Sequence, residues 1–190
     1  MEHVSLAELQ AGLDHVRAAP ADSGTLELIV CRPAIGQREV LTEGTLDLVT
    51  GLTGDNWKAR GSTSTPDGAA HPDAQITVMN ARAALLVAGH PDRRPLAGDQ
   101  LYADLDISVA NLPPGTRLAL GSAVIEVTGK PHLGCFKFLA RFGRDAMKFV
   151  NCRAGRELRL RGLNAKVVVP GTIRVGDEIR KVPAAHLTRA

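Results

Sequence analysis

Short stretches of alternating apolar residues, separated by glycine and proline turns, constrain the fold of this chain more than any other feature. Leu26, Leu28 and Val30 alternate with residues that are also partly apolar, which predicts a strand buried at least partly on both faces. Similar strand-like stretches lie at residues 40–50, 75–79, 117–120, 123–128, 163–169, 172–175 and 178–182. The 19 glycines and 11 prolines, with only 3% aromatic residues, suit many short strands and turns. We therefore expect a mainly β fold, a closed or partly closed β-barrel with a few peripheral helices.

The N-terminal residues predict a helix that precedes the barrel. Ser5 and Glu8 form a capping box at its start, and Pro20 ends it. Its apolar positions at helical spacing are Leu6, Leu9, Leu13 and Val16. A chain of 190 residues with 44% hydrophobic composition supports one sizeable core. We therefore expect an amphipathic helix over residues 1–23, a barrel domain over 24–182 and a C-terminal tail over 183–190.

No targeting or membrane segment is recognisable in the sequence. The first ten residues carry charges where a signal peptide needs an apolar run, and no stretch of about 18 apolar residues occurs. These features predict a soluble cytoplasmic protein that does not bind membranes. The three cysteines are an odd number, and the cytosol keeps thiols reduced, so we expect them to be unpaired. Cys31 lies inside an apolar strand and is expected to be a small core residue.

Positive charge is concentrated in residues 130–161. This segment holds nine lysines and arginines against Asp145 and Glu157, a local charge of +7, whereas the whole chain carries +3. The remainder of the chain is therefore slightly acidic. Such a concentrated positive field indicates an anionic partner, although it says nothing about the fold.

Cys135 is the candidate reactive residue of this basic segment. It follows a tight Pro-His-Leu-Gly turn and directly precedes a predicted helix over residues 136–150. A thiol at a helix N-terminus feels the positive end of the backbone dipole, which favours the thiolate. Lys130, His132, Lys137 and Arg141 lie close in sequence and are expected to favour it further. A thiolate attacks electrophiles, carries sulfur or binds a soft metal.

The predicted helix after Cys135 has a basic face beside an apolar one. The basic positions, at i, i+4, i+7 and i+11, are Lys137, Arg141, Arg144 and Lys148. The apolar positions are Phe138, Phe142 and Phe149. An ordinary exposed helix mixes charges of both signs, whereas this one offers only Asp145. The pattern predicts that some of these cations hold an anionic, phosphate-bearing ligand near Cys135.

Three other uses of the same residues stay open. His132, Cys135 and Cys152 form a candidate zinc set, but a fourth ligand and a second Cys-x-x-Cys pair are missing. Nucleic acid would also use the positive charge, but phenylalanines on a buried helix face leave little aromatic surface for base stacking, so we expect no nucleic-acid partner. The last alternative is an anion-binding thiol module without metal.

Seven segments, taken together and in order, resemble the MOSC domain, the module at the C-terminus of molybdenum cofactor sulfurases. They are Gly24–Ile29, Gly51–Asp55, Gly98–Leu101, Leu112–Leu118, Lys130–Cys135, Arg161–Leu163 and Gly171–Asp177. The resemblance implies a barrel fold and makes Cys135 the equivalent of the family's conserved cysteine. That cysteine either ligates molybdenum of a pterin cofactor or carries sulfur as a persulfide. The implied cofactor, molybdopterin, is an anionic phosphate ester, and at the level of the family pyridoxal phosphate binding is also implied.

The resemblance carries expectations about sites and partners as well. Lys130, His132, Lys137, Arg141 and Arg144 are expected to bind the anionic cofactor, with Cys135 as catalytic residue and metal ligand. The alternative activity is a molybdenum-dependent reduction of N-hydroxylated compounds. We expect a stand-alone module that depends on a separate sulfur donor or redox partner protein.

The chain departs from its relatives in one region. Many relatives carry a His-Gly-Gly motif where this chain has a polar, glycine- and proline-rich segment that ends in His71-Pro72-Asp73. We expect residues 58–72 to form a mobile loop, either a lid over a site or an insertion.

Overall fold

Strand β1 (Ser23–Cys31) closes the barrel because it pairs with three different strands. In the computed structural model, which describes residues 3–182, its first residues pair with strand β11 (Glu178–Val182), its middle with β6 (Leu101–Asp104) and its end with β2 (Glu39–Leu41). A change of register between Leu26 and Leu28 separates two parts of the β6 pairing. Because β1 pairs with both β6 and β11, the sheet closes into a ring. Strand β2 is an additional strand outside that ring.

Seven strands form the ring in the order β11-β7-β8-β9-β5-β6-β1, and a small three-stranded sheet, β10-β3-β4, lies beside it. The other strands are β3 (Glu43–Asp47), β4 (Gly51–Leu52), β5 (Ile76–Asn80), β7 (Arg117–Leu120), β8 (Ala123–Val127), β9 (Leu163–Val169) and β10 (Gly171–Arg174). All pairings are antiparallel except that between β5 and β6. The connection between those two strands is a helix, as parallel neighbours require.

The helices lie outside the barrel. They are α1 (Leu6–Ala11), α2 (Leu13–Arg17), α3 (Trp57–Arg60), α4 (Ala81–Ala88), α5 (Phe136–Asn151) and α6 (Arg153–Glu157), with 3-10 turns at Pro72–Ala74 and Pro91–Ala97. Within the described residues, none combines the length and apolarity that crossing a membrane needs.

Two apolar clusters hold these layers together. Side chains such as Ile29, Ile76 and Leu101 fill the interior of the barrel. A second cluster joins the outer face of the barrel to the helices and includes Leu28, Val30, Met79, Tyr102, Phe138, Phe142 and Phe149. Alternation along β1 explains the division, because Leu28 and Val30 belong to the outer cluster whereas Ile29 and Cys31 belong to the inner one. The prediction that β1 is buried on both faces is confirmed, as is the core position of Cys31.

Several local predictions are confirmed. The barrel itself and the strands expected near residues 75–79, 117–120 and 123–128 are present as β5, β7 and β8. In the structure β7 and β8 form a hairpin, and β5 runs directly into helix α4. Asn80 caps α4 by accepting a hydrogen bond from the backbone N–H of Ala83, and Gly89 closes the helix in a left-handed conformation. The predicted tail, residues 183–190, lies outside the described residues.

Two predicted elements are divided in the structure. The N-terminal helix begins with the expected capping box at Ser5, but it breaks at Gly12 into α1 and α2. Glycine is a poor helix former, and a Cβ at Gly12 would lie 2.4 Å from Cδ1 of Leu86. The predicted strand over residues 40–50 is two strands, β2 and β3, which belong to different sheets.

Helix α5 is also interrupted, which corrects the expectation of one continuous helix. Gly143 has φ 83° and ψ 178°, a conformation essentially restricted to glycine. The interruption lies where the N-terminal segment docks: a Cβ on Gly143 would lie 2.5 Å from Nδ1 of His3, and Asp145 accepts a hydrogen bond from the backbone N–H of Leu6 at 2.9 Å. The basic face predicted for this helix is therefore divided into two halves with different directions.

Candidate functional site

A cleft of about 610 Å³ opens beside the end of the barrel where β1 ends and β6 begins. Its walls come from the segment after β1, from residues 130–135 and from the first half of α5. The cationic residues that line it are Arg32, Arg38, Arg60, Lys130, Lys137, Arg141 and Arg161. Within residues 3–182, no aspartate or glutamate lines the cleft. The volume is that of a site for a small organic ligand, and the charge selects an anion.

Two buried ion pairs fix the floor of this cleft. Arg32 and Asp55 form a two-pronged pair, Nε to Oδ2 at 2.7 Å and Nη2 to Oδ1 at 2.8 Å, and Arg32 also donates to the carbonyl of Gly98. The side chain of Asp55 is fully buried and accepts further bonds from the backbone N–H groups of Arg32 and Trp57. The Gly51–Asp55 segment therefore serves to neutralise and orient Arg32.

Asp99 neutralises and orients Arg161 in the same way. Arg161 donates from Nη1 to the fully buried carboxylate of Asp99 and from Nη2 to the carbonyl of Ala97 at 2.9 Å. Its guanidinium lies 5.1 Å from the centre of the Phe138 ring, a cation–π contact that ties the floor to α5. Nε of Arg161 is buried and has no hydrogen-bond partner within the described part of the chain.

His132 lies against the same carboxylate but is uncharged. Its Nδ1 is 3.4 Å from Oδ1 of Asp99. Burial, followed by the positive charge of Arg161, lowers the pKa of His132 to about 3, although Asp99 opposes the shift. At neutral pH, His132 therefore contributes a neutral imidazole to the cleft rather than the positive charge expected from the sequence.

Two asparagines hold the segment that carries Cys135. Asn164 on β9 donates from Nδ2 to the carbonyls of Lys130 and Pro131. Asn151 at the end of α5 accepts from the N–H of Gly134 at 2.9 Å and donates back to its carbonyl. The segment is thus anchored at both ends, and Cys135 is left exposed at the N-cap of α5, where its side chain makes no capping bond.

Arg38 and Arg60 carry charge in the cleft without a carboxylate within ion-pair distance, as do Lys130, Lys137 and Arg141, among the residues that the structure describes. Burial, then the charges of Arg141 and Arg32, lower the pKa of Arg38, and burial, then Arg32, lowers the pKa of Arg60. These pKa shifts arise because the two arginines are partly buried and lie near other cations. A bound anion would relieve the repulsion between these like charges.

The guanidiniums of Arg38 and Arg141 converge above Gly98. A Cβ built on Gly98 would meet Nη2 of Arg38 at 3.3 Å and Nη1 of Arg141 at 3.6 Å. Arg141 is positioned by its bond to the carbonyl of Leu96 at 2.7 Å, and Nε of Arg38 is buried without a described partner. Two fixed guanidiniums at one point, with an unused donor, form a ready anion site.

Most of the predicted site residues meet in this cleft. Lys130, His132, Cys135, Lys137 and Arg141 all line it. Arg144, predicted as a further cofactor-binding residue, follows the break at Gly143 and is not among the lining residues. The apolar face predicted for the helix is confirmed, because Phe138, Phe142 and Phe149 are buried, whereas Phe136, directly after Cys135, is 87% exposed.

Sequence reasoning missed Arg32, Arg38 and Arg60 altogether, and gave Arg161 no role of its own beyond the basic segment and the Arg161–Leu163 segment of the family resemblance. No local pattern identifies them, because three distant parts of the chain supply them: the segment after β1 (Arg32 and Arg38), the end of α3 (Arg60) and the segment before β9 (Arg161). The available signal was indirect: Asp55 and Asp99 each follow glycine in a conspicuous Gly-Asp motif, and buried aspartates need cationic partners.

The zinc set considered for His132, Cys135 and Cys152 is not assembled. Within residues 3–182, no three histidine, cysteine or acidic side chains converge as a metal site would require. Cys152 instead caps α6: its Sγ accepts from the N–H of Gly155 and donates to the carbonyl of Phe149.

The loop expected to be mobile has internal structure. Ser62 N–H donates to the carbonyl of Gly68, and Thr65 Oγ1 bonds the carbonyls of Ser62 and Ala69. Nζ of Lys130 donates to Oγ of Ser64 at 3.1 Å, which connects the loop to the cleft wall.

The fold and sequence of the chain are similar to known proteins. The MOSC domain model matches residues 54–180. The YuaD protein from Bacillus subtilis has a similar structure, with a TM-score of 0.62 and 15% identity over 83% of this chain and 94% of that one. YiiM from Escherichia coli gives a TM-score of 0.55 and 18% identity over 85% of this chain and 71% of that one. YiiM from Geobacillus stearothermophilus gives 0.53 and 14%, over 86% and 74%. No curated protein matches the chain.

Proposed function

Because the chain belongs to the MOSC domain family, we propose that its cationic cleft binds a molybdopterin-type cofactor, with Cys135 as the thiolate ligand of molybdenum. The observation that carries this proposal is a lining of seven cations, with no aspartate or glutamate among the described lining residues and with Cys135 in the same wall. The family is associated with molybdenum cofactor binding, and the phosphate ester of that cofactor is an anion of the required kind.

The residues present fit such a cofactor. Arg38 and Arg141 converge on one point and are suited to the phosphate, with Lys137 nearby in sequence on the same helix. The unused buried Nε of Arg161 and the uncharged ring of His132 offer hydrogen bonds deeper in the cleft. When bound, the cofactor would supply a redox-active metal centre.

In this proposal, the residues of the chain bind the cofactor and orient the Cys135 thiolate. The floor pairs Arg32–Asp55 and Arg161–Asp99 keep two guanidiniums rigid, so that little freedom is lost when a ligand arrives. Asn151 and Asn164 fix the segment that presents Cys135. Exposed Phe136 and Leu133 flank the thiol and leave it accessible to a partner protein that donates sulfur or electrons.

The experiment is production of the protein in a host that makes molybdenum cofactor, beside Cys135→Ser and the matched control Cys152→Ser. Bound molybdenum is measured by mass spectrometry, and pterin by fluorescence after oxidation. We expect near-stoichiometric metal and pterin in the parent and in Cys152→Ser, and loss of metal in Cys135→Ser. Metal retained in Cys135→Ser would contradict the role of the thiolate.

Absence of both metal and pterin from all three proteins would instead favour a persulfide carrier or a metal-free anion-binding thiol module. A persulfide assay on Cys135 separates these two. If the cofactor is bound, turnover of an N-hydroxylated substrate with supplied electrons would identify a reductase. The family-level association with pyridoxal phosphate stays a prediction.

A further inference from the structure

A second cavity, of about 410 Å³, lies on the other side of the segment that carries His132. The two cavities share the four consecutive residues 130–133 as a common wall. The apolar residues that line the second cavity include Val109, Pro114, Leu133, Val150 and Leu163. Like the first cavity, it is lined by no aspartate or glutamate in the described part of the chain.

Arg159 supplies a partly buried charge to this apolar space. It is the one residue other than glycine with a positive φ, 49°, among those that the structure describes. Its Nη1 donates to the carbonyls of Leu112 at 2.7 Å and Ile107 at 3.3 Å, which fixes the guanidinium in place. Burial lowers the pKa of Arg159, and none of the ion pairs in the described part of the chain involves it.

Arg156, an exposed residue, brings a second guanidinium to the same cavity. Its Nε is bonded to the carbonyl of Asn151 at 2.8 Å, and it too makes no ion pair with a described carboxylate. Glu157 lies between the two arginines in sequence, but its carboxylate is paired with Arg153. The cavity therefore combines apolar walls with two guanidiniums that have hydrogen-bonding capacity to spare.

We propose that this second cavity binds a small organic carboxylate with an apolar body, held by Arg159 and Arg156, at a site separate from the cationic cleft. A planar carboxylate matches the fork of a guanidinium, and apolar walls exclude the water that would weaken the pair. A free phosphate would leave those walls uncovered, so the apolar body is part of the recognition. The ligand would lie against the back of the wall that presents His132. This proposal does not depend on the molybdenum cofactor.

The test compares the binding of 2-naphthoate to the whole chain with the binding of its neutral counterpart, 2-naphthamide. Both are measured by nuclear magnetic resonance. We expect naphthoate to shift the backbone amides of Gly129, Gly155 and Gly162, and naphthamide to bind at least about tenfold more weakly because it lacks the charge. Equal binding of the two probes, or no binding at millimolar concentration, would overturn the proposal.

Variants locate the site. Val109 is 46% exposed on the cavity wall, so Val109→Glu should fold and should abolish naphthoate binding by repulsion, whereas the matched Val109→Gln should retain it. Arg156→Gln should weaken binding, and Arg38→Gln, in the cationic cleft, should not. Binding that survives Val109→Glu but is lost in Arg38→Gln would place the probe in the cleft and contradict the second site.

Discussion

At the scale of single residues, the three thiols have three different surroundings. Cys31 is buried in the barrel core, and burial, then the negative charge of Asp55, raises the pKa of its thiol. Sγ of Cys152 is occupied by two backbone hydrogen bonds. Cys135 is exposed at the N-cap of α5 among lysines and arginines. Cys152 is exposed as well, so what distinguishes Cys135 is an exposed Sγ that makes no capping hydrogen bond and lies in a cationic cleft.

These differences predict the order of alkylation. Near neutral pH, iodoacetamide should modify Cys135 faster than Cys152 and much faster than Cys31, as measured by peptide mass spectrometry over time. Cys135→Ser serves as the control, since its remaining thiols should keep their slow rates. Equal, slow labelling of all three cysteines would contradict an activated Cys135.

His132 predicts a pH dependence of stability. Its pKa is about 3 when folded and about 6.5 in the unfolded chain, so between these values only the unfolded state takes up the proton. Its contribution therefore destabilises the fold as pH falls from about 6.5 towards 3, by up to about 1.4 kcal/mol per pH unit, and is absent above that range.

The measurement is urea unfolding at pH 7 and pH 5. His132→Gln should lose less stability than the parent between the two values, whereas the exposed control His15→Gln should follow the parent. An identical loss in His132→Gln and the parent would show that His132 is protonated in the folded protein.

At the scale of elements, the break in α5 decides which cations reach the cleft. Lys137 and Arg141 precede Gly143 and line the cleft, whereas Arg144 follows it and does not. On a continuous helix, the side chains of all these basic residues would lie on one face, as the spacing predicted. The conformation of Gly143, against which His3 packs, therefore determines which of these cations line the cleft.

Gly143→Ala tests this break. The substitution forces a side chain into a glycine-only conformation and into His3, so it should destabilise the protein by about 1 kcal/mol or more beyond a comparable change without the clash. Gly36→Ala provides that comparison, because Gly36 also has positive φ, 88°, but open space around it. Equal losses of unfolding free energy in the two variants would contradict the packing of His3 on Gly143.

Local elements were predictable from the sequence where local signals determine them. The β7–β8 hairpin has a two-residue turn at Gly121-Ser122, and α4 has its cap and stop at Asn80 and Gly89. The breaks at Gly12 and Gly143 were not predicted, because both depend on contacts with distant residues, Leu86 and His3. Sequence spacing alone does not contain those contacts.

At the scale of the whole molecule, the site is assembled by the closure of the barrel. Cys135 and the cations near it in sequence were predictable, since they share one segment. Arg32 and Arg38 follow β1, and Arg161 precedes β9; they meet only because β1, β6, β5 and β9 are neighbours in the ring. That arrangement includes the parallel β5–β6 pair, which no local pattern specifies. The resemblance to a known family gave the barrel and Cys135, but not this set of arginines.

The central claim is that charge in the cleft, and not basic character in general, binds the anionic cofactor. Two double variants distinguish charge in the cleft from basic character in general, because each removes two positive charges from the chain. One is Arg38→Gln with Arg141→Gln in the cleft, and the other is Arg144→Gln with Lys148→Gln on the second half of α5. The measurement is the pterin and molybdenum bound to each after production in a host that makes the cofactor. We predict that the cleft pair loses both and that the helix pair retains both. Equal retention, or equal loss, in the two proteins would contradict the account.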